Sequence, residues 1–199
     1  MRVGVFGGTF DPIHTGHLAA AEEARLAGGL DRVLFVPAAR PPHKPGMVSA
    51  PAWARLEMVR LAVAGNPGFH VSAMELEREG PSYTVDTLRA LRGERPGDEL
   101  FYLLGADSLP EIGSWREPEV LCELVTFIVM SRPGWPRVAL EDWLGRQPPG
   151  LRPRTVLVET RGMDISSRDL RRRLQAGQPG RYLLPDAVRA FIHAEGLYH

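Results

Sequence analysis

The sequence predicts an α/β protein built on a doubly wound parallel sheet with helices on both faces. Two observations lead to this fold class. Short apolar runs alternate with helix-like segments along the whole chain, and most of the runs lack the period of two that marks a half-solvated strand. Strands that are apolar on both sides must be covered on both sides, and helices that connect parallel strands provide that cover.

The predicted elements follow from local signals in chain order. The first apolar run ends at the paired glycines Gly7-Gly8, the first helix stops at Gly28-Gly29, and Pro37 closes the second strand. Stretches near 41–51 and 131–153 are rich in Pro and Gly and are expected to be surface loops. The strands are expected at Arg2–Phe6, Arg32–Val36, Phe69–Ala73, Leu100–Leu104, Val125–Met130 and Thr155–Val158, and the helices at Gly16–Ala27, Pro51–Ala64, Thr84–Leu91, Ser166–Leu174 and Asp186–Ala194.

Length, charge and cysteine content limit the class of protein. A chain of 199 residues fits one domain over 1–199, with a helical subregion from roughly 164 to 199. The 24 basic residues equal the 24 acidic residues, so a generally cationic surface for nucleic acid or an acidic membrane is not supported. The sequence shows no long apolar run, no signal-peptide pattern and one cysteine, Cys122. We therefore expect a cytoplasmic protein without a disulfide framework or a Cys-based zinc site.

The segment after the first strand has the features of a phosphate site. Gly7 and Gly8 let the backbone approach a ligand closely and expose its N–H groups. The next helix points its positive end at the same place, and His14 and His17 lie three residues apart across its start. The alternatives are a Gly-rich turn with incidental histidines and a zinc pair, for which no second His/Cys cluster has suitable spacing.

Three common motifs are absent. The only lysine, Lys44, precedes Pro45, which excludes a P-loop. There is no G-x-G-x-x-G fingerprint, and Pro37 stands at the end of the second strand instead of an acidic residue. A G-x-S-x-G nucleophile elbow is also missing. The loop therefore predicts a phosphate site of another type.

A second candidate phosphate segment lies closer to the end of the chain. Ser166 and Ser167 are expected at the N-cap and first turn of a helix. A hydroxyl, backbone N–H groups and Arg171 one turn later suit a polyphosphate, whereas Arg172 and Arg173 are candidates for the solvated face.

These segments resemble the H-x-G-H nucleotidyltransferase superfamily, whose signature also occurs in class I aminoacyl-tRNA synthetases. GGTFDPIHTGH resembles the first half of the signature, and ISSRDLR, from Ile165 to Arg171, resembles the second. PPHK, SYTVDTL and GADSL resemble the bacterial nicotinate-nucleotide adenylyltransferase family. Trp115, Ser131-Arg132 and the C-terminal segment from Leu183-Leu184-Pro185 through Leu197-Tyr198 extend this resemblance over nearly the whole chain. Thr15 departs from the aromatic residue that many relatives have there.

The resemblance implies a nucleotidyltransferase fold, Rossmann-like, and a reaction in NAD biosynthesis. The substrates would be ATP and nicotinate mononucleotide, with Mg²⁺ bound to the polyphosphate, and the products nicotinate adenine dinucleotide and pyrophosphate. The mononucleotide phosphate would attack the α-phosphorus of ATP in line. A homo-oligomer is compatible with this family. Two alternatives stay open: a phosphopantetheine adenylyltransferase or cytidylyltransferase with the same core, and a non-catalytic nucleotide- or RNA-binding module.

The resemblance also assigns residues to the reaction. Trp115 is expected to stack on the pyridine ring and Asp107 to bind a ribose, while Trp53 is expected in the core. No protein ligand to the metal is expected. The expected catalytic residues are His14, His17, Lys44 and Arg171; those binding ATP are Gly7, Gly8, Thr9, Phe10, His14, His17, Gly105, Asp107, Ile165, Ser166, Ser167 and Arg171; and those binding the mononucleotide are Thr9, Lys44, Tyr83, Thr84, Asp107, Trp115, Arg116 and Arg132.

Overall fold

The computed structural model describes residues 1–42, 48–131, 137–146 and 154–198, and only the backbone of 137–140. Within these ranges six strands form one sheet: β1 (Arg2–Gly8), β2 (Arg32–Pro37), β3 (Phe69–Val71), β4 (Glu99–Gly105), β5 (Thr126–Ser131) and β6 (Thr155–Glu159). All neighbouring strands are parallel, in the order β3-β2-β1-β4-β5-β6. The chain thus winds outward from β1 in one direction and from β4 in the other, as the sequence predicts.

The connections between strands are mostly helical. The helices are α1 (Thr15–Ala27), α2 (Ala52–Val63), α3 (Met74–Glu77), α4 (Thr84–Glu94), α5 (Pro118–Leu124), α6 (Arg137–Gly145), α7 (Ser167–Gln175) and α8 (Asp186–Ala194), and Ala106–Ser114 forms a 3₁₀ helix. None of the helices in the described ranges is long and apolar enough to cross a membrane.

Two hydrophobic clusters lie on opposite faces of the sheet. Along β4, Phe101 and Leu103 belong to one cluster, and Tyr102 and Leu104 to the other. Successive residues of a strand point to opposite faces, so β4 is buried on both sides. Helices α1, α2, α7 and α8 cover the first face, and α4, α5 and the 3₁₀ helix cover the second. The predicted fold class is confirmed.

The helices of the C-terminal part pack into the core of the sheet. Leu170 of α7 and Val188 of α8 are fully buried and share a cluster with Phe35 of β2. A single domain over 1–199 would require this shared core. The single domain stays our prediction for the whole chain.

The structure also contains helices that the sequence analysis does not predict. The interpretation of 131–153 as a surface loop is wrong for residues 137–145, which form α6. Helices α3 and α5, of four and seven residues, are too short to show a helical period. The 3₁₀ helix contains Pro110, which breaks the α-helical pattern that sequence analysis detects. Trp53, expected in the core, is 55% exposed on α2.

Candidate active site

A cavity of about 730 Å³ opens at the carboxyl ends of β1 and β4, where the winding direction of the sheet changes. Ligands of doubly wound sheets bind at this place. Its walls come from the segments after β1, β4 and β6 and from the start of α4. The cavity brings together the predicted site residues that lie in the described ranges: Gly7, Gly8, Thr9, Phe10, His14, His17, Tyr83, Thr84, Gly105, Asp107, Trp115, Arg116, Ile165, Ser166, Ser167 and Arg171. Lys44 and Arg132 lie outside the described residues.

The loop after β1 has little space for side chains at its glycines. A Cβ on Gly7 would lie 2.6 Å from the hydroxyl of Tyr102, and one on Gly8 would lie 2.9 Å from the ring of Phe10. Phe10 itself is buried and has φ of 48°, in the left-handed region that non-glycine residues rarely adopt. The ring anchors the loop in the core, so the backbone of the loop faces the cavity in a fixed conformation.

His14 and His17 form a reciprocal cap at the start of α1. His14 is the N-cap residue, and its Nδ1 accepts a hydrogen bond from the backbone N–H of His17 at 3.3 Å. The Nδ1 of His17 accepts from the backbone N–H of His14 at 3.2 Å. Since Nδ1 is the acceptor in both rings, a neutral ring has its hydrogen on Nε2. Two Nε2–H donors are thereby defined at the positive end of a helix that has no acidic residue in its first turn.

Gly16 explains how the two imidazoles fit. A Cβ at this position would lie 3.1 Å from Nδ1 of His14. Without it, the His14 ring covers the first turn of α1 and stacks against His17 with ring centroids 3.6 Å apart. The glycine of the H-x-G-H pattern thus makes room for the ring that caps the helix.

The second predicted phosphate segment joins the first through direct hydrogen bonds. Ser166 caps α7 by accepting from the backbone N–H of Asp169, as its position in the sequence predicts. The Ser167 hydroxyl donates to the carbonyl of Pro12 at 3.0 Å. Arg171 donates to the carbonyl of Asp11 at 2.7 Å, and its side chain is 20% exposed. The start of α7 is therefore fixed beside the loop after β1.

The three consecutive arginines of α7 have different surroundings. Arg172 and Arg173 pair with Asp169 at 2.8 and 2.6 Å and are 71% and 49% exposed. Arg171 faces the cavity and lies 3.5 Å from the carboxylate of Asp11. This difference agrees with the expected separation between a ligand-facing arginine and a solvated pair.

Gly105 and Asp107 form the end of β4. A Cβ on Gly105 would collide with the carboxylate of Asp107, so only glycine lets that carboxylate fold over the end of the strand. Asp107 is exposed to the cavity and does not cap the 3₁₀ helix through its side chain, for which Gly105 is the N-cap residue. Its oxygens are placed to accept hydrogen bonds from hydroxyl groups of a ligand.

An aromatic wall lies on the far side of the cavity. Trp115 packs its ring edge-on against Tyr102 at 5.8 Å, and its Nε1 is buried with no hydrogen-bond partner among the described residues. The Arg116 guanidinium lies 4.8 Å from the centre of the Tyr83 ring and 3.7 Å from the carboxylate of Asp86. These contacts hold Tyr83 at the N-cap of α4, beside the backbone of Thr84.

Two titratable residues in this wall were missed by the sequence analysis. Glu75 is buried, and burial raises the pKa of its carboxyl group although the hydroxyls of Thr87 and Ser82 hydrogen-bond to it. Burial also raises the pKa of Tyr102 to about 12, against a hydrogen bond with Thr84 that lowers it. Tyr102 is the single polar residue in the apolar run of β4, and this is the only signal in the sequence that could have pointed to it.

The described residues contain no group of three or more His, Cys, Asp and Glu side chains that could hold a metal ion. The donors around the cavity are instead backbone N–H groups, the two histidine rings and four arginines, Arg116, Arg161, Arg168 and Arg171, which suit the oxygens of phosphates. A divalent cation would fit this site as a companion of bound polyphosphate.

Comparisons with known proteins show the family to which the chain belongs. A sequence model described as cytidylyltransferase-like matches residues 5–173. The chain is 48% identical over 197 residues to a Symbiobacterium thermophilum protein named "Probable nicotinate-nucleotide adenylyltransferase", covering 99% of this chain and 95% of the relative. It is 50% identical over 198 residues to a Thermus thermophilus protein of the same name, covering 100% of both.

Solved structures show the same fold. The Plasmodium falciparum nicotinic acid mononucleotide adenylyltransferase complexed with NaAD superimposes with a TM-score of 0.80 at 19% identity, covering 99% of this chain and 97% of that chain. The same Plasmodium falciparum enzyme complexed with APC gives a TM-score of 0.77 at 19% identity, covering 99% of this chain and 96% of that chain. The family resemblance of the sequence is confirmed: the chain belongs to the cytidylyltransferase-like family and, within it, to the nicotinate-nucleotide adenylyltransferases.

Proposed function

We propose that the protein transfers the adenylyl group of ATP to nicotinate mononucleotide, as the names of its relatives state for them. An oxygen of the mononucleotide phosphate forms a bond to the α-phosphorus of ATP, and the bond from that phosphorus to the bridging oxygen breaks. The products are nicotinate adenine dinucleotide and pyrophosphate. A phosphate nucleophile is already ionised at neutral pH, so the reaction needs no general base.

The observation that best supports this proposal is the reciprocal cap of His14 and His17. It fixes both rings and defines Nε2 as the protonated nitrogen at the positive end of α1. In the reaction, negative charge develops on the α-phosphate and on the bridging oxygen. Nε2 of His17, with His14 beside it, donates hydrogen bonds to these atoms, and fixed donors of this kind lower the barrier without reorganising.

Further donors surround the polyphosphate. The backbone amides of Thr9 and Phe10, in the loop with Gly7 and Gly8, bind phosphate oxygens. The start of α7, with Ile165, Ser166 and Ser167, supplies more backbone N–H groups, and Arg171 balances charge on the leaving pyrophosphate. Mg²⁺ bound to the ATP phosphates would neutralise charge on the same group.

The remaining residues bind the two nucleosides. Asp107 accepts hydrogen bonds from ribose hydroxyls, and Gly105 allows the close approach. Trp115 stacks on the pyridine ring, framed by Tyr83, while the backbone N–H groups near Thr84 and Arg116 bind its carboxylate. Lys44 binds the mononucleotide phosphate, and Arg132 lies on the same side; both assignments rest on the sequence resemblance. We also propose, from the sequence and the family resemblance, that the protein is cytoplasmic and forms a homo-oligomer.

Pyrophosphate release tests the proposal. The protein is mixed with ATP and Mg²⁺ and offered nicotinate mononucleotide, nicotinamide mononucleotide or phosphopantetheine in parallel. We expect turnover with the nicotinate compound and much less with the other two. Turnover with phosphopantetheine alone would move the protein to a related enzyme of the superfamily, and no turnover with any of the three would contradict adenylyl transfer.

A further inference from the structure

Among the residues that the structure describes, Arg55 has the largest fully buried side chain, and it is not part of the substrate site described above. It lies on α2, is 1% exposed, and does not line the cavity. Four of its N–H hydrogens go to backbone carbonyls: Nη1 donates to Thr9 at 2.8 Å and to Ala38 at 2.6 Å, Nη2 donates to Ala39 at 3.1 Å, and Nε donates to Ala50 at 3.1 Å. The guanidinium thus joins the loop after β1 to both described ends of the segment that connects β2 and α2.

Burial of this charge is unfavourable, and the structure shows how it is compensated. Burial lowers the pKa of Arg55, while the negative charge of Asp11 acts in the opposite direction. The four carbonyl oxygens replace water around the guanidinium. They point at it from different chain segments, so only a planar group with several donors can reach all of them. Lysine has the charge but lacks this fork.

Asp11 holds the same segments with the opposite charge. Its carboxylate accepts from the backbone N–H groups of Ser49 at 2.8 Å and Ala50 at 3.0 Å, and from the hydroxyl of Tyr198 at 2.7 Å. Arg55 and Asp11 therefore bind different groups of one connection: the cation takes carbonyls at both of its ends, and the anion takes N–H groups at the second end. Ala50 is held by both.

A third contact fixes the first end of the connection from the other side. The Ser82 hydroxyl accepts from the backbone N–H groups of Ala39 at 3.0 Å and Arg40 at 3.2 Å. Ala39 thus has its N–H bound to Ser82 and its carbonyl bound to Arg55. The same guanidinium also binds the carbonyl of Thr9. The position of the loop after β1 therefore depends on the position of the β2–α2 connection.

We propose that Arg55 is a positioning residue for adenylyl transfer: it sets the backbone of Thr9 and Phe10, and with it the amides that bind phosphate, relative to the β2–α2 connection. The inference rests on the proposed function. It predicts that the guanidinium group is needed at this position beyond its charge and its contribution to stability.

The first test compares kinetic constants of three variants. Arg55→Lys should lower kcat by about 10- to 100-fold, because small displacements of reacting groups have effects of this size. Arg55→Ala should lower kcat more than Arg55→Lys does. Added guanidinium ion should restore part of the kcat of Arg55→Ala, because it can occupy the space left by the side chain. Val59→Ala, which removes packing one turn further along α2, is the control for lost stability and should keep kcat within about twofold.

Arg154→Lys provides a second control. Arg154 also donates to two backbone carbonyls, those of Cys122 and Glu123, but does not line the cavity, so its replacement should leave kcat unchanged. Full kcat in Arg55→Lys would overturn the proposal. It would also be overturned if Val59→Ala had the same melting temperature as Arg55→Lys and lost as much kcat.

Amide hydrogen exchange separates this proposal from the proposed function. In Arg55→Lys, exchange should accelerate in peptides covering 7–14 and 36–42 and stay unchanged around α5. This outcome would support the positioning role even if wild-type protein released no pyrophosphate, whereas unchanged exchange in both peptides would contradict it even in an active enzyme.

Discussion

The imidazole of His14 stacks on that of His17, and each ring accepts a hydrogen bond from the backbone N–H of the other residue. The two side chains therefore have a structural role, and the proposed function gives them a chemical role as well. Their Nδ1 atoms cap helix α1, and their Nε2 atoms are assigned to the phosphate that reacts. Substitutions can separate these two roles.

Replacement of His14 by Asn should keep the cap and remove the donor. Asn is among the best N-cap residues, so its side-chain oxygen can still accept from the N–H of His17. We expect kcat to fall by about 10²- to 10³-fold, the usual effect of losing one fixed donor. His14→Ala should show the same loss of kcat and, in addition, a free energy of unfolding lower by about 1 kcal/mol than that of the Asn variant.

His17→Ala should also lower kcat by about 10²- to 10³-fold or more. Steady-state kinetics and thermal unfolding of the three variants provide the comparison. Near-full kcat in either His14→Asn or His17→Ala would show that the corresponding ring serves only the helix.

Trp115 is predicted to act on one substrate only. Loss of ring stacking is worth about 1–3 kcal/mol, so Trp115→Ala should raise KM for the mononucleotide roughly 5- to 150-fold and leave KM for ATP nearly unchanged. Trp53→Ala is the matched control, since Trp53 is 55% exposed on α2 and does not line the cavity. An unchanged KM for the mononucleotide in Trp115→Ala would remove the stacking assignment.

The close approach of Gly7 to Tyr102 predicts a compensating pair of substitutions. Gly7→Ala places a methyl group 2.6 Å from the Tyr102 hydroxyl and should cost about 1–3 kcal/mol of unfolding free energy. Tyr102→Phe removes that oxygen, and the next ring atom is 3.4 Å away, an ordinary contact. The double variant should therefore be more stable than Gly7→Ala alone. Strictly additive losses in chemical denaturation would show that another contact is responsible.

Glu75 predicts a pH dependence of stability. Burial raises the pKa of its carboxyl in the folded state, so the folded protein retains this proton at pH values where the unfolded chain has lost it. Stability then falls as pH rises from the ordinary pKa of about 4.5 through the raised one, and the loss is complete above it. Gln at position 75 does not ionise, so the stability of Glu75→Gln relative to wild type should rise over the pH interval between the two pKa values.

Urea unfolding at a series of pH values measures the difference between Glu75→Gln and wild type. The exposed neighbour Glu77, changed to Gln, is the control and should give a nearly constant difference. A constant difference for Glu75→Gln would mean that its carboxyl titrates alike in the folded and unfolded chains.

The strands could be predicted because burial on both faces leaves an apolar run in the sequence. Their ends could not. Strand β1 continues through Gly7 and Gly8 because these residues pair with Val36 and Pro37, although neither glycine nor proline favours a strand by itself. Here the pairing with the neighbouring strand β2 determines where β1 ends, and the local sequence does not show which strand will be the neighbour.

The proposed phosphate site follows from side chains in two short segments of the sequence, but the residues that support it could not be predicted. An arginine in a helical pattern usually indicates the solvated face, and nothing in the sequence distinguishes Arg55 from the exposed Arg60 on the same helix. Its partners are backbone carbonyls, which every residue has. Asp11 lies within the first motif, yet its partner Ser49 comes from a segment without any motif, and Tyr198 belongs to the C-terminal part of the family pattern, where no role was predicted for it.

The partners of Asp11 also set the order in which the site can form during synthesis on the ribosome. The loop after β1 leaves the ribosome well before its anchors, Arg171 and Tyr198, which lie 160 and 187 residues further along the chain than Asp11. A nascent chain has β1 and both histidines long before it has these contacts. The proposed phosphate site is therefore completed only after residue 198 has been translated, so a nascent chain that stops short of this residue would have both histidines without the final arrangement of the loop.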